Sequence, residues 1–216
     1  MTVTVFTSDG HGRINSQVSE ASSCDKLRFP KSESGAVSMA ERLSQIRTMI
    51  PPTDCAVASW YPGADLVDAF AVTLPGPGPH DLSRLAQDGL SNPAPWITAA
   101  MALRDAAVRL FGVRTSGEMR ARLKADGRDR IDFFPVLSRS EREIVLGEDD
   151  RHLDFRLSLR LSRRLDGQTD LVATTVVRCH NRLGRAYLAA IMPGHVLVVR
   201  SVLQRAAAFQ PGRVVA

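Results

Sequence analysis

Lysine is nearly missing from this chain: only Lys26, Lys31 and Lys124 occur, so 25 of the 28 basic residues are arginine. The net charge of +5 and an isoelectric point of about 9.6 invite a nucleic-acid reading. The arginines, however, are interleaved with Asp and Glu, and no run of five or six like charges tracks a phosphate backbone. Nucleic acid is therefore not an expected partner. Cysteine is also scarce. Cys24, Cys55 and Cys179 are odd in number, far apart and in no C-x-x-C pair, which argues against a disulfide framework or a zinc site and for reduced thiols in a cytoplasmic protein. No segment approaches the roughly 18 consecutive apolar residues of a membrane span. The opening MTVTVFTSDG has neither the basic start nor the apolar core of a secretory signal. A cytoplasmic location without membrane attachment is the expectation. G-x-S-x-G, a phosphate loop, a dinucleotide fingerprint and H-E-x-x-H are all absent. Hydrolase, kinase and dehydrogenase chemistry lose ground accordingly, and neither a cofactor nor a metal site is predicted.

What is present is alternation. In residues 151–161, Leu153, Phe155, Leu157, Leu159 and Leu161 alternate with His152, Asp154, Arg156, Ser158 and Arg160. Successive strand residues point to opposite faces, so this segment is a long strand with one apolar side. Each large apolar side chain taken from water contributes roughly 1.5 to 3 kcal/mol before chain entropy opposes it, so that side must be covered. Asp166-Gly167 offers a tight reversal into a second β-rich run at 171–179.

The 216 residues suffice for one substantial domain, and a hydrophobic content of 44% is ordinary for a globular protein. Residues 1–37 lack any sustained period and read as a flexible N-terminal extension. Residues 38–210 read as one domain and 211–216 as a tail. A short helix is expected over 38–49, where Leu43, Ile46 and Ile50 share a stripe before Pro51-Pro52. Residues 68–72 are the best early strand, 75–79 a loop, and Asp81 caps a helix through about Leu90. An internal helix is expected over 96–111, ending at Gly112, and another over 115–125. Strands are expected over 131–137, 143–146, 151–161, 171–179 and 185–191, the last reached through a hairpin at 181–184. Pro193 then opens a terminal helix carrying Val196, Val199, Leu203 and Ala206 at helical spacing. Strands followed by one long helix imply an α+β layer: a curved antiparallel β-sheet wrapped around a C-terminal helix.

Several segments, in order, resemble an uncharacterised bacterial family catalogued as domain of unknown function 2867. They are Asp65-Leu66-Val67-Asp68-Ala69-Phe70, Pro95-Trp96, Leu103-Arg104-Asp105, Phe111-Gly112, the stretch Gly147-Glu148-Asp149-Asp150-Arg151-His152-Leu153-Asp154-Phe155, Gly184-Arg185-Ala186-Tyr187, and Ile191-Met192-Pro193 before His195. The resemblance spans about 54–209. That family is in turn similar to the helix-grip (START-like, SRPBCC) superfamily, which implies a sheet gripping its terminal helix around a hydrophobic ligand cavity. The resemblance assigns no catalytic residue.

Five residues stand out as candidates. Arg104 shares a helical stripe with Ile97, Met101, Val108 and Phe111. A guanidinium drawn inward there binds an anionic ligand, pairs with an acid such as Asp65 or Asp68, or reaches solvent along its stem. His152 and Asp154, at i and i+2 on a strand, share a face and are the candidate catalytic acid–base pair, although that face is opposite the apolar one and a surface role competes. His195, expected near the start of the last helix, and Tyr187, expected on the adjoining strand, are candidate ligand contacts beside Arg104.

These features favour a protein that binds a small hydrophobic or amphipathic molecule in an internal cavity. The alternative is a cavity enzyme of cyclase, dehydratase or isomerase type using His, Asp and Tyr groups, and a third reading is a homodimer formed through the outer polar face of strand 151–161.

Overall fold

The computed structural model describes residues 45–208 except 77, 78, 92 and 110–115, and except the side chains of 103, 104, 106–109, 119 and 123. The expectations for the extension 1–37, the tail 211–216 and the cap at Gly112 lie outside the described residues.

Seven strands form one curved antiparallel sheet: β1 (Arg47–Thr48), β2 (Leu66–Thr73), β3 (Arg130–Ile131), β4 (Phe134–Arg139), β5 (Glu143–Asp149), β6 (Leu153–Arg163) and β7 (Thr169–Cys179). Helices α1 (Leu82–Leu90), α2 (Pro95–Arg109) and α3 (Ser116–Ala125) lie between β2 and β3 in the chain, and α4 (Arg182–Ala208) closes the described fold. The strand order is β1-β2-β7-β6-β5-β4-β3. Strands β3 to β7 form a meander, and β2, first separated from them by three helices, returns to pair with the last strand of the set. This is the α+β, helix-grip arrangement expected from the sequence.

Alternation decides which side chains meet. Leu159 stands across from Ala173 on one side and Ile144 on the other, and Leu157 across from Thr175 and Leu146. A slip by one residue would reverse both faces, so the buried face specifies the register. On this inner face Phe70, Val72, Ile144, Leu146, Leu159, Leu171 and Ala173 pack against Val199, Val202, Leu203 and Ala206 of α4 and Leu82, Leu85 and Leu90 of α1. Asp81 accepts from the Arg84 N–H at 3.1 Å and caps α1 as its sequence position suggested. Gly167, at φ +83°, makes the expected reversal between β6 and β7.

Three expectations need correction. The first is the helix over 38–49: in its described part, Arg47–Thr48 pair with Phe70 and Ala71 as strand β1, Ile46 is buried and Ile50 is exposed. Pairing with the open edge of β2 satisfies backbone groups that so short a helix would leave free at its ends.

The second is the strand over 185–191 with a helix starting at Pro193. In the structure α4 is continuous from Arg182, and Pro193 lies inside it. The Asn181 side chain accepts from the Gly184 N–H at 3.0 Å, so the residues expected to turn a hairpin cap a helix instead. Ala186, Ala189 and Ala190 favour the helix, and Pro193 with Gly194 sits on its exposed side, where water can serve the carbonyl that proline leaves without a donor. By length and composition α4 would reach across a membrane; its Leu188, Val199, Val202 and Leu203 are buried within this fold.

The third concerns the polar face of β6, expected to meet solvent. Arg156 is only 8% exposed and Ser158 only 1%, because residues 52–64 cross the outer face of the sheet. Cys55, Val57, Trp60, Tyr61 and Ala64 cluster with Val67, Val145 and Val176. The guanidiniums of Arg156 and Arg178 lie 4.0 and 4.7 Å from the centre of the Trp60 ring. Arg160 pairs with Asp54 at 2.6 Å, and Glu143 receives the Ser158 hydroxyl at 2.6 Å and the Ala56 N–H at 3.0 Å. The polar side chains of this face are thus partnered within the chain, which is what burial demands of them.

Candidate functional site

Strand β2 alternates Leu66, Asp68, Phe70 and Val72 on the inner face, so one acid interrupts an otherwise apolar row. Register places Asp68 across from Thr175 of β7, which in turn faces Leu157 of β6. Helix α4 packs over this position and brings His195 down on it: Nε2 lies 2.8 Å from Asp68 Oδ2, and both side chains are 16% exposed. When Nε2 carries a proton it donates to the carboxylate, and in the neutral ring Nδ1 is then the nitrogen with a free lone pair.

The other carboxylate oxygen, Asp68 Oδ1, is buried and has no hydrogen-bond partner among the described residues, and the same holds for Thr175 Oγ1. Thr175 is 7% exposed. Deeper along the helix, the Arg200 guanidinium lies 5.9 Å from the centre of the Phe70 ring. On the opposite side of the polar group the wall is apolar and incompletely covered: Leu157 and Phe155 are half-buried, and the Phe155 ring meets Phe134 edge-on at 5.9 Å. Glu148, across from Phe155 on β5, pairs with Arg122 of α3 at 3.7 Å. The inner face therefore holds a polar group of Asp68, Thr175 and His195 beside an aromatic and aliphatic wall. Such a surface suits a molecule with one polar end.

The sequence candidates fall in different places. His195 is at the centre of this group, in the middle of α4 and not near its start as expected. Tyr187 lies on α4 itself, half-buried, about 12 Å along the helix from His195 and not on an adjoining strand. The side chain of Arg104 lies outside the described residues. His152 and Asp154 do not come together. His152 precedes β6 and its Nδ1 is 3.1 Å from the Asn181 amide, whereas Asp154 is on the outer face with Oδ1 2.9 Å from His180 Nε2. The carbonyl of His152 presses on the first turn of α4, where a Cβ on Gly184 would stand 2.1 Å from it. Among the described residues no group of three or more His, Cys, Asp or Glu is arranged to hold a metal ion.

Sequence reasoning named Asp68 only as an alternative partner of Arg104 and passed over Thr175. A signal for Asp68 was present: an acid on the apolar side of an alternating strand must find a donor or lose its charge. Nothing marked His195 as that donor.

Charged groups elsewhere serve the framework. Asp65 accepts from the Cys179 N–H at 2.7 Å and from Arg185 Nε at 3.1 Å, which together hold its carboxyl below the ordinary value. The Cys179 thiol is pushed up by burial and by the Asp65 charge. On the outer face burial and the neighbouring Cys55 raise the Tyr61 phenol, whose hydroxyl donates to the Pro52 carbonyl at 2.7 Å.

The family model described as "Protein of unknown function (DUF2867)" matches residues 60–202, about two thirds of the chain. The match begins at Trp60 under the two arginines and ends at Val202 in the core-facing part of α4. This chain belongs to that family. The DUF2867 region so defined contains Asp68, Thr175 and His195, and excludes residues 52–59 of the outer crossing. Neither the curated proteins nor the solved structures offer a match to the chain.

Proposed function

We propose that this DUF2867 protein binds a small amphipathic molecule between the inner face of the sheet and α4, with its polar end at Asp68 and His195 and its apolar part along Phe155 and Leu157. The observation that carries this reading is the 2.8 Å His195–Asp68 contact set into an apolar wall. Taking a carboxylate and an imidazole out of water is unfavourable, and an all-apolar pair at these positions would pack the same face without that cost. A polar pair beside an incompletely covered aromatic surface is therefore better explained by a bound polar group than by folding.

A second reading uses the same residues for acid–base catalysis, as in cyclases, dehydratases or isomerases. What favours it is that Asp68 holds the His195 ring through Nε2, leaving Nδ1 to take or give a proton. The binding reading is tested by titrating the full-length protein with Nile red and by native mass spectrometry of freshly purified protein. Saturable dye binding that weakens in His195→Ala, or a retained molecule released on denaturation, supports it. Absence of both overturns it.

A further inference from the structure

We infer that the polar end of the bound molecule is a hydrogen-bond donor, an alcohol or an amine, and not a carboxylate or other anion. The inference rests on the reading that the inner face holds a ligand, and adds the chemistry that the face selects.

Asp68 uses one oxygen on His195 and keeps the other, Oδ1, buried with no donor among the described residues; directly across the strand pair, Thr175 is 7% exposed with its hydroxyl equally without a partner among them. Cross-strand neighbours of this kind have Cβ atoms roughly 5 Å apart, so one small group placed between them reaches both. A ligand hydroxyl completes the circuit by donating to Asp68 Oδ1 and accepting from the Thr175 hydroxyl. An ammonium donates to both oxygens and also offsets the carboxylate charge. An ether or ketone accepts from Thr175 but leaves Oδ1 unsatisfied, and a carboxylate sets a second anion against Asp68.

Among the described residues Arg200 is a cation that would argue for an anionic ligand, and its Nε is buried without a partner among them. Its guanidinium, however, lies towards Phe70, in the row where Ala173 and Leu159 are each 1% exposed and Ile144 is 0% exposed. That row is filled by the protein's own core. The half-buried Leu157 lies instead in the row of Asp68 and Thr175, so the less covered part of the inner face adjoins the two acceptors and not the guanidinium.

The test displaces Nile red from the full-length protein with four ten-carbon probes that share a tail: 1-decanol, decylamine, decyl methyl ether and sodium decanoate. Decanol and decylamine are expected to displace the dye at concentrations about tenfold below those of the ether and decanoate. Thr175→Val, which removes the hydroxyl with little change of shape, should weaken decanol about fivefold, with the dye's own affinity measured in the same variant as the reference for displacement. Asp68→Asn should weaken decylamine most. Equal displacement by all four probes, a preference for decanoate, or an unchanged decanol affinity in Thr175→Val overturns the donor inference and leaves ligand binding standing. If neither the dye nor any probe binds, the binding reading falls and this inference with it.

Discussion

Asp68 and His195 stand 127 positions apart in the chain and meet at 2.8 Å on the inner face of the sheet. One comes from the strand that pairs last with the meander, the other from the middle of the helix laid over it. Their meeting therefore depends on the whole of the fold between them.

The first prediction concerns that contact as a structural unit. His195→Ala leaves the carboxylate of Asp68 largely buried with both oxygens unpaired, and should destabilise the fold by about 1 to 3 kcal/mol in urea denaturation. Asp68→Ala in the same background should cost little more, because the unpaired charge is removed. Additive losses in the double variant would show that the two side chains do not interact.

On the outer face, Trp60→Ala removes a ring that two guanidiniums rest on and that packs with the cluster around Val145 and Val176. A loss of about 2 to 4 kcal/mol is expected from burial and cation–π contact together. Asp54→Asn, which removes the charge of a mostly exposed carboxylate and keeps an acceptor for Arg160, should move the urea midpoint much less than Trp60→Ala does. Equal effects of the two substitutions would show that the crossing at 52–64 is held by charge and not by packing.

Gly184→Ala should lower the melting temperature although alanine is the better helix former. Its Cβ would stand 2.1 Å from the His152 carbonyl oxygen, so the turn before β6 must move away from α4. Circular dichroism melts of the two proteins decide this, and an alanine variant as stable as the parent would exclude the close approach.

Acid stability follows from Asp65. Hydrogen bonds from the Cys179 N–H and from Arg185 keep its carboxyl below the ordinary 3.8, so between the folded and unfolded values the unfolded chain binds the extra proton. The resulting stabilisation is fully present above about pH 4 to 5 and is lost as pH falls through the lowered folded value. Asp65→Asn should therefore flatten the pH dependence of stability below about pH 4 and leave its slope between pH 6 and 8 unchanged. Urea midpoints measured across the range give the answer.

The sequence marked most elements of the sheet and helices and left the site largely hidden. Strict alternation in β6, the Asp166-Gly167 reversal and the Asp81 cap are local signals carried by neighbouring residues, and each appears in the structure. Residues 185–191 misled because a short apolar run beside a proline satisfies a strand as readily as a helix. The competing fact, that Asn181 caps and that α4 lies along the inner face of the sheet, is not local.

By itself the sequence determined the alternating strands, the apolar faces that had to be covered and the membership of one family, because periodicity and residue type act over a few neighbours. Only the tertiary structure decided what covers each face: residues 52–64 over the arginines of β6, and α4 over Asp68 and Thr175. A polar side chain on a strand declares which way it points, but its partner is chosen by strand order and helix docking. Those are set by burial summed over the whole chain.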